Sequence, residues 1–327
     1  MNLSENESKN KKVQVFNVVV ILLITLFIVG GCSLPPKKDQ QPPTVLEEDF
    51  LKKLQQLEGD FLDIPESLAE ETEAIEQDVV SYSVARNDLT NRIILTDDAN
   101  NLSFAKEQEE HERLWQLFST IIPLENRKMV KEFVLFTDGP DNTLGLVEPL
   151  PSDTDQWKLA IDYQDTSNIK DFYYTLIHEY GHLLTLNHSE VPPTSKTVLD
   201  DEEFEEATVA CKTYYALQGC SSNDSYMYQY FKRFWEVRYE EWLEMDVESS
   251  EEAQSVFFDK HADEFLTPYA VSHPEEDIAE SWVHFIFTEK PKEPFTMTDE
   301  KIAFFYNYPE LVQLRKTILK NLYESLK

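Results

Sequence analysis

Two histidines stand four residues apart, with a glutamate directly after the first, in the segment YYTLIHEYGHLLTLNH from Tyr173 to His188. His178, Glu179 and His182 make the pattern His-Glu-x-x-His, and on a helix a four-residue step returns a side chain to the same face. Two imidazoles so placed can share a zinc ion, with the intervening carboxylate beside the metal's water. Zinc lowers the pKa of that water toward 7, and Glu179 could take its proton and return it to a leaving amine, which is the chemistry of peptide-bond hydrolysis. A catalytic zinc needs a third protein ligand and an open fourth position, so the rest of the chain must supply one more donor.

Two candidates lie downstream. His188 stands ten residues after His178, the metzincin spacing, but that motif has a glycine where this chain has Thr185. Glycine lets the chain turn sharply after the second histidine, and a β-branched residue is poor at positive φ. The other candidate is TPYAVSHPEEDIAESWVHF, where Pro274 can open a helix that carries Glu276 and Glu280 four apart on one face.

These residues need elements to hold them. Leu176, Ile177, Tyr180, Leu183 and Leu184 form one apolar stripe of the motif helix, which should face the core. His178 and His182 then fall on the opposite side, lining a cleft or meeting solvent. Upstream, the runs KEFVLF, TLGLVEPL and WKLAIDY between Lys131 and Tyr163 are of β type and are separated by the turn signals TDGPDN and PSDTDQ, so they predict a small sheet, mixed or antiparallel. The region from 46 to 125 reads mainly as helices, for example EEDFLKKLQQLEGDFL and EQEEHERLWQLFSTII, with apolar residues three and four apart. From Asp171 onward the chain again reads helical. The fold class expected is α+β, mainly α, with a domain over 126–327 that carries the sheet, the motif helix and a larger helical C-terminal half.

The N-terminal end has a different character. Lys9, Lys11 and Lys12 precede an unbroken apolar run from Val18 to Val29, closed by IVGGCS. That ending resembles the bacterial lipobox, which implies a signal peptide over 1–31, cleavage before Cys32, and acylation of that cysteine by a fatty acid such as palmitate. The proline-rich stretch SLPPKKDQQPPT within 32–45 then serves as a flexible tether. The expected location is the extracytoplasmic side of a bacterial cell membrane. In that oxidising setting Cys211 and Cys220 are expected to pair as a disulfide.

The formal net charge of −33 excludes nucleic acid as a reasonable partner and leaves the lipid, rather than a basic patch, to hold the protein to the membrane. The same field favours a basic peptide or protein substrate. The acidic run DDEEFEE from Asp200 to Glu206 could add to that attraction, although such runs are usually solvated helix starts. His273, His284 and FFYNYPELVQL read as packing or surface.

HEYGH followed by E-x-x-A-E, with a tyrosine seven residues before the first glutamate, resembles the gluzincin peptidases, in particular those similar to the catalytic domain of anthrax lethal factor. The resemblance spans about residues 131 to 287. It implies zinc held by His178, His182 and Glu276, Glu179 as general base, Tyr269 as the group that stabilises the oxyanion, and Glu280 as a carboxylate that steadies a ligand histidine. It also implies a small sheet beside the motif helix whose edge strand pairs with an extended peptide, and WKLAIDY stands where that strand is expected. The chain departs from the family in the long insert between His182 and Glu276. The reading is therefore a lipid-anchored zinc metallopeptidase. Its rivals are a non-catalytic zinc-binding or protein-binding lipoprotein, and a metzincin-like peptidase that uses His188.

Overall fold

The computed structural model describes residues 46–57, 76–140, 143–151, 153–194, 201–216 and 219–327. The expected signal peptide, the tether and Cys32 lie outside the described residues. The described chain begins with α1 (Leu46–Leu57), the hairpin β1 (Gln77–Ala85) and β2 (Asp88–Ile94), α2 (Asn101–Phe104) and α3 (Gln108–Ile121). Then come β3 (Val130–Thr137), β4 (Gly145–Leu150), β5 (Asp153–Asp162) and the motif helix α4 (Ile169–Leu186). The remainder is α5 (Asp201–Ala210), the short strands β6 (Tyr215–Ala216) and β7 (Gly219–Cys220), α6 (Tyr226–Tyr230), a π-helical turn Phe231–Trp235 and α7 (Tyr239–Glu244). It closes with α8 (Glu251–His261), α9 (Pro274–Phe287), α10 (Met297–Phe305) and α11 (Pro309–Ser325). The fold is α+β and mainly helical, and no helix among the described residues is long and apolar enough to cross a membrane.

The five-stranded sheet has the order β2-β1-β3-β5-β4 and is mixed: β3 and β5 run parallel, and every other neighbouring pair is antiparallel. Side chains of a strand alternate between the two faces of a sheet. Phe133 and Leu135 of β3, with Trp157, Leu159 and Ile161 of β5, accordingly join the main core, while Val134, Phe136 and Ala160 form a small cluster of their own.

Two expectations need correction here. The region 46–125 does carry helices where LEEDFLKKLQQL and QEEHERLWQLFSTI promise them, but residues 77–94 fold as a hairpin rather than a helix. Val79, Val80 and Tyr82 are buried there, and β-branched and aromatic residues suit a pleated, covered surface. The hairpin turn places Arg86 at φ 62. Its carbonyls are taken from outside: Trp115 Nε1–H donates to Asn87 O at 2.7 Å, and the Arg127 guanidinium donates to Arg86 O at 2.9 Å. Because β1 pairs with β3, one sheet crosses the boundary drawn at 125/126.

The second correction concerns the edge strand. The first six residues of WKLAIDY, Trp157 to Asp162, lie in β5, between β3 and β4, so the two edges of that strand are occupied. The strand at the edge beside the motif helix is β4. Gly145 lets it sit there, since a Cβ at that position would stand 3.0 Å from Thr175 Cγ2 of α4 and 3.1 Å from Ile161 Cδ1.

Candidate metal centre

Asn168 starts α4 by accepting the Lys170 N–H on its side chain, satisfying one of the amides that a helix N-terminus leaves open. The helix runs unbroken through Thr185, whose hydroxyl donates to Gly181 O at 2.9 Å. It stops at Asn187, whose Nδ2 donates to the carbonyls of Leu183 and Leu184. His178 and His182, expected to meet either a cleft or solvent, are 4% and 9% exposed and look into a cleft covered by α9.

Pro274 is the first residue of α9, and Glu275, Glu276 and Asp277 fill its first turn, where the helix dipole favours carboxylates. The far side of this helix is anchored by Asp277. Its Oδ2 accepts from Lys301 Nζ of α10 at 2.7 Å and from Trp235 Nε1 at 2.8 Å, all within the core. The roll of α9 about its axis is thereby set, and Glu276 and Glu280 are turned toward α4.

Three donor atoms converge between the two helices. His178 Nε2 lies 3.0 Å from His182 Nε2 and 3.0 Å from Glu276 Oε2, and His182 Nε2 lies 3.3 Å from the same oxygen. His178 Nδ1 faces Glu280 Oε1 at 2.7 Å. When that nitrogen carries the ring's proton and donates it to Glu280, Nε2 turns a lone pair into the triangle. Two lone pairs and a carboxylate oxygen aimed at one point repel one another unless a positive charge sits among them. Tetrahedral zinc with donors at about 2.0–2.1 Å would hold those donors roughly 3.3 Å apart, and the three observed separations fit with small adjustment. His178, His182 and Glu276 could therefore bind a metal ion.

The charges respond to the same crowding. Burial alone would lower the His178 pKa, but its contacts with Glu276 and Glu280 outweigh that and hold it well above the ordinary imidazole value. Burial would likewise raise Glu276, yet the two imidazoles hold it well below the usual carboxylate range. Glu179 is raised, chiefly by burial, while His182, His178 and the Val147 backbone N–H of β4 oppose the shift. His182 Nδ1 is buried without a hydrogen-bond partner among the described residues, so Glu280 orients one ring of the pair and leaves the other to packing.

His178, Glu179, His182, Glu276 and Tyr269 all line one cavity of about 540 Å³. Tyr269 opens a short 3₁₀ turn ahead of α9, with its ring centroid 6.1 Å from that of His178. His188 is not brought to the triangle: it lies beyond the end of α4, half exposed, with Nδ1 2.5 Å from Asp155 Oδ1. Cys211 and Cys220 form a disulfide. His273, read from the sequence as packing or surface, lines the cavity, and so do Glu275 and the insert residues Tyr214, Tyr239 and Trp242. No motif spacing points to these. The only local signal is the doubled glutamate Glu275-Glu276, of which the pattern uses the second.

Comparison with protein-family models, with curated proteins and with solved structures finds no match to this chain.

Proposed function

We propose that the chain is a zinc metallopeptidase of gluzincin type, held by a lipid on Cys32 at the extracytoplasmic face of a bacterial membrane. The observation that carries the reading is the triangle of His178 Nε2, His182 Nε2 and Glu276 Oε2, with Glu179 and Tyr269 on the wall of the same cavity. A structural zinc is usually closed by four protein ligands. The cluster here offers three among the described residues and stands beside open space, as a reacting centre requires.

Zinc, when bound, supplies a Lewis acid that polarises a carbonyl and makes water acidic enough to lose a proton near neutral pH. The residues of the chain do the rest. Glu179 takes the proton from the attacking water on a carboxylate oxygen and delivers it to the leaving amine nitrogen. The Tyr269 hydroxyl donates to the substrate oxygen as negative charge develops there. Glu280 holds His178 in the tautomer that presents Nε2. The outer edge of β4 offers backbone groups to an extended peptide beside Glu179.

The deciding experiment combines metal analysis with incubation in a diverse peptide mixture. Glu179→Gln should keep its zinc and lose cleavage by a factor of about 10² or more, because an amide cannot accept the proton. Cleavage at the wild-type rate by Glu179→Gln would sink the hydrolytic reading.

A further inference from the structure

Glu275 precedes Glu276 on α9, so the helix turns its carboxyl away from the metal triangle and into the cavity. Its side chain is 12% exposed. Oε2 accepts the Tyr214 hydroxyl at 2.7 Å. Aromatic rings line the same cavity: Tyr239 and Trp242 are stacked with centroids 5.6 Å apart, and Tyr214 meets Tyr239 edge-on at 5.8 Å. Glu248, 64% exposed, adds a second carboxylate to the lining. His273 lies between them, with Nδ1 3.9 Å from Glu275 and Nε2 3.5 Å from Glu248. Even charged, it answers one carboxylate of the two. No lysine or arginine is among the described residues that line the cavity.

A carboxylate behind aromatic walls is the combination that holds an ammonium or a guanidinium, through a charge-assisted hydrogen bond and the negative faces of the rings. Resting on the peptidase reading, we propose that this part of the cavity is a subsite for a lysine or arginine side chain of the bound peptide, with Glu275 as the residue that selects it. The long insert between His182 and Glu276 then has a role. It contributes Tyr214, Tyr239 and Trp242, and the Cys211–Cys220 disulfide closes the loop that carries Tyr214. Proximity to the metal triangle, which lines the same space, makes the cation part of the segment flanking the cleaved bond. The chain's net charge of −33 works in the same direction at longer range.

The alternative occupant is an uncharged side chain that uses the aromatic walls alone, and citrulline separates the two, since it keeps the shape of arginine without the charge. Calorimetric binding would be measured for the full, zinc-loaded chain carrying Glu179→Gln. The ligands are decapeptides in which a single arginine is moved one position at a time, each with citrulline and norleucine copies. At one position arginine should bind at least about tenfold tighter than citrulline. Glu275→Gln should bring that ratio toward one, and Glu248→Gln, at an exposed side chain, should lower it by a smaller factor. Arginine and citrulline binding alike at every position, or norleucine binding tighter than arginine, overturns the proposal even if Glu275→Gln fails to fold. A ratio that survives Glu275→Gln overturns the role of Glu275. The peptidase reading fails separately, if the zinc-loaded chain with Glu179 intact cleaves none of these peptides while the arginine preference persists.

Discussion

Gly181 of α4 meets Ala279 of α9 so closely that a Cβ on Gly181 would stand 3.2 Å from the Ala279 Cα and 3.2 Å from Trp282 Cδ1. Gly181 is the residue before His182, and Ala279 is the residue before Glu280. The small residues inside the two motifs are therefore the contact that lets the helices cross close enough for Glu276 and Glu280 to reach the histidines.

Gly181→Val should force the helices apart. Overpacking of this kind costs about 1–3 kcal/mol of stability. Zinc affinity should fall as well, although no ligand is changed, because the carboxylates of α9 would be carried away from His178 and His182. Thermal melting of the apo chain and a zinc titration would show both effects, and wild-type zinc affinity in Gly181→Val would refute this role of the crossing.

Glu276 and His188 make opposite claims on the third ligand position. Glu276→Ala should abolish tight zinc binding, since two imidazoles alone would remain, whereas His188→Ala should leave the zinc content near wild type and lose only an exposed contact with Asp155. Zinc retained by Glu276→Ala and stripped by His188→Ala would replace the gluzincin reading with the metzincin-like one.

Glu280 touches His178 Nδ1 without belonging to the donor triangle. Glu280→Ala should therefore weaken metal binding or activity by roughly 10–100-fold rather than abolish it. Glu280→Gln, whose amide oxygen can still accept from Nδ1–H, should recover much of the loss. Equal behaviour of the two variants would show that the hydrogen bond does not orient the ring.

Glu190, just past the motif helix, is pushed up to about 7 by burial, with Asp224 adding to the shift and the Tyr226 N–H opposing it. The folded chain then holds this proton more tightly than the unfolded chain, whose carboxyl has the ordinary value of 4.5. The penalty is absent below the unfolded value and grows as pH rises through the interval to about 7, so stability falls across that interval. Glu190→Gln, neutral throughout, should gain in melting temperature relative to wild type between pH 4.5 and pH 7, and the gap should level off above. A gap that does not change with pH would mean that Glu190 titrates alike in both states.

Local chemistry makes part of this molecule legible in the amino-acid sequence. The helix bearing His178, Glu179 and His182 follows from apolar residues at helical spacing, the start of α9 from Pro274, and β3, β4 and β5 from β-type runs between turn residues. The pairing of Cys211 with Cys220 needs only a short loop. Other features depend on partners far along the chain, and no window of sequence contains them. The β1–β2 hairpin is stabilised by β3 and by Trp115 and Arg127 at its turn, so propensity within 77–94 competes there with contacts made elsewhere. Which strand takes the sheet edge is a matter of topology: β5 returns beside β3, and β4 is left outermost. That Glu276, and not His188, stands beside His178 and His182 is likewise decided by tertiary structure. α4 stays helical through Thr185 and carries His188 out to Asp155, while the Gly181–Ala279 crossing and the buried Asp277–Lys301 pair turn Glu276 inward. A donor set formed across 98 residues of sequence is assembled by packing, and only the packed helices bring its atoms to about 3 Å of one another.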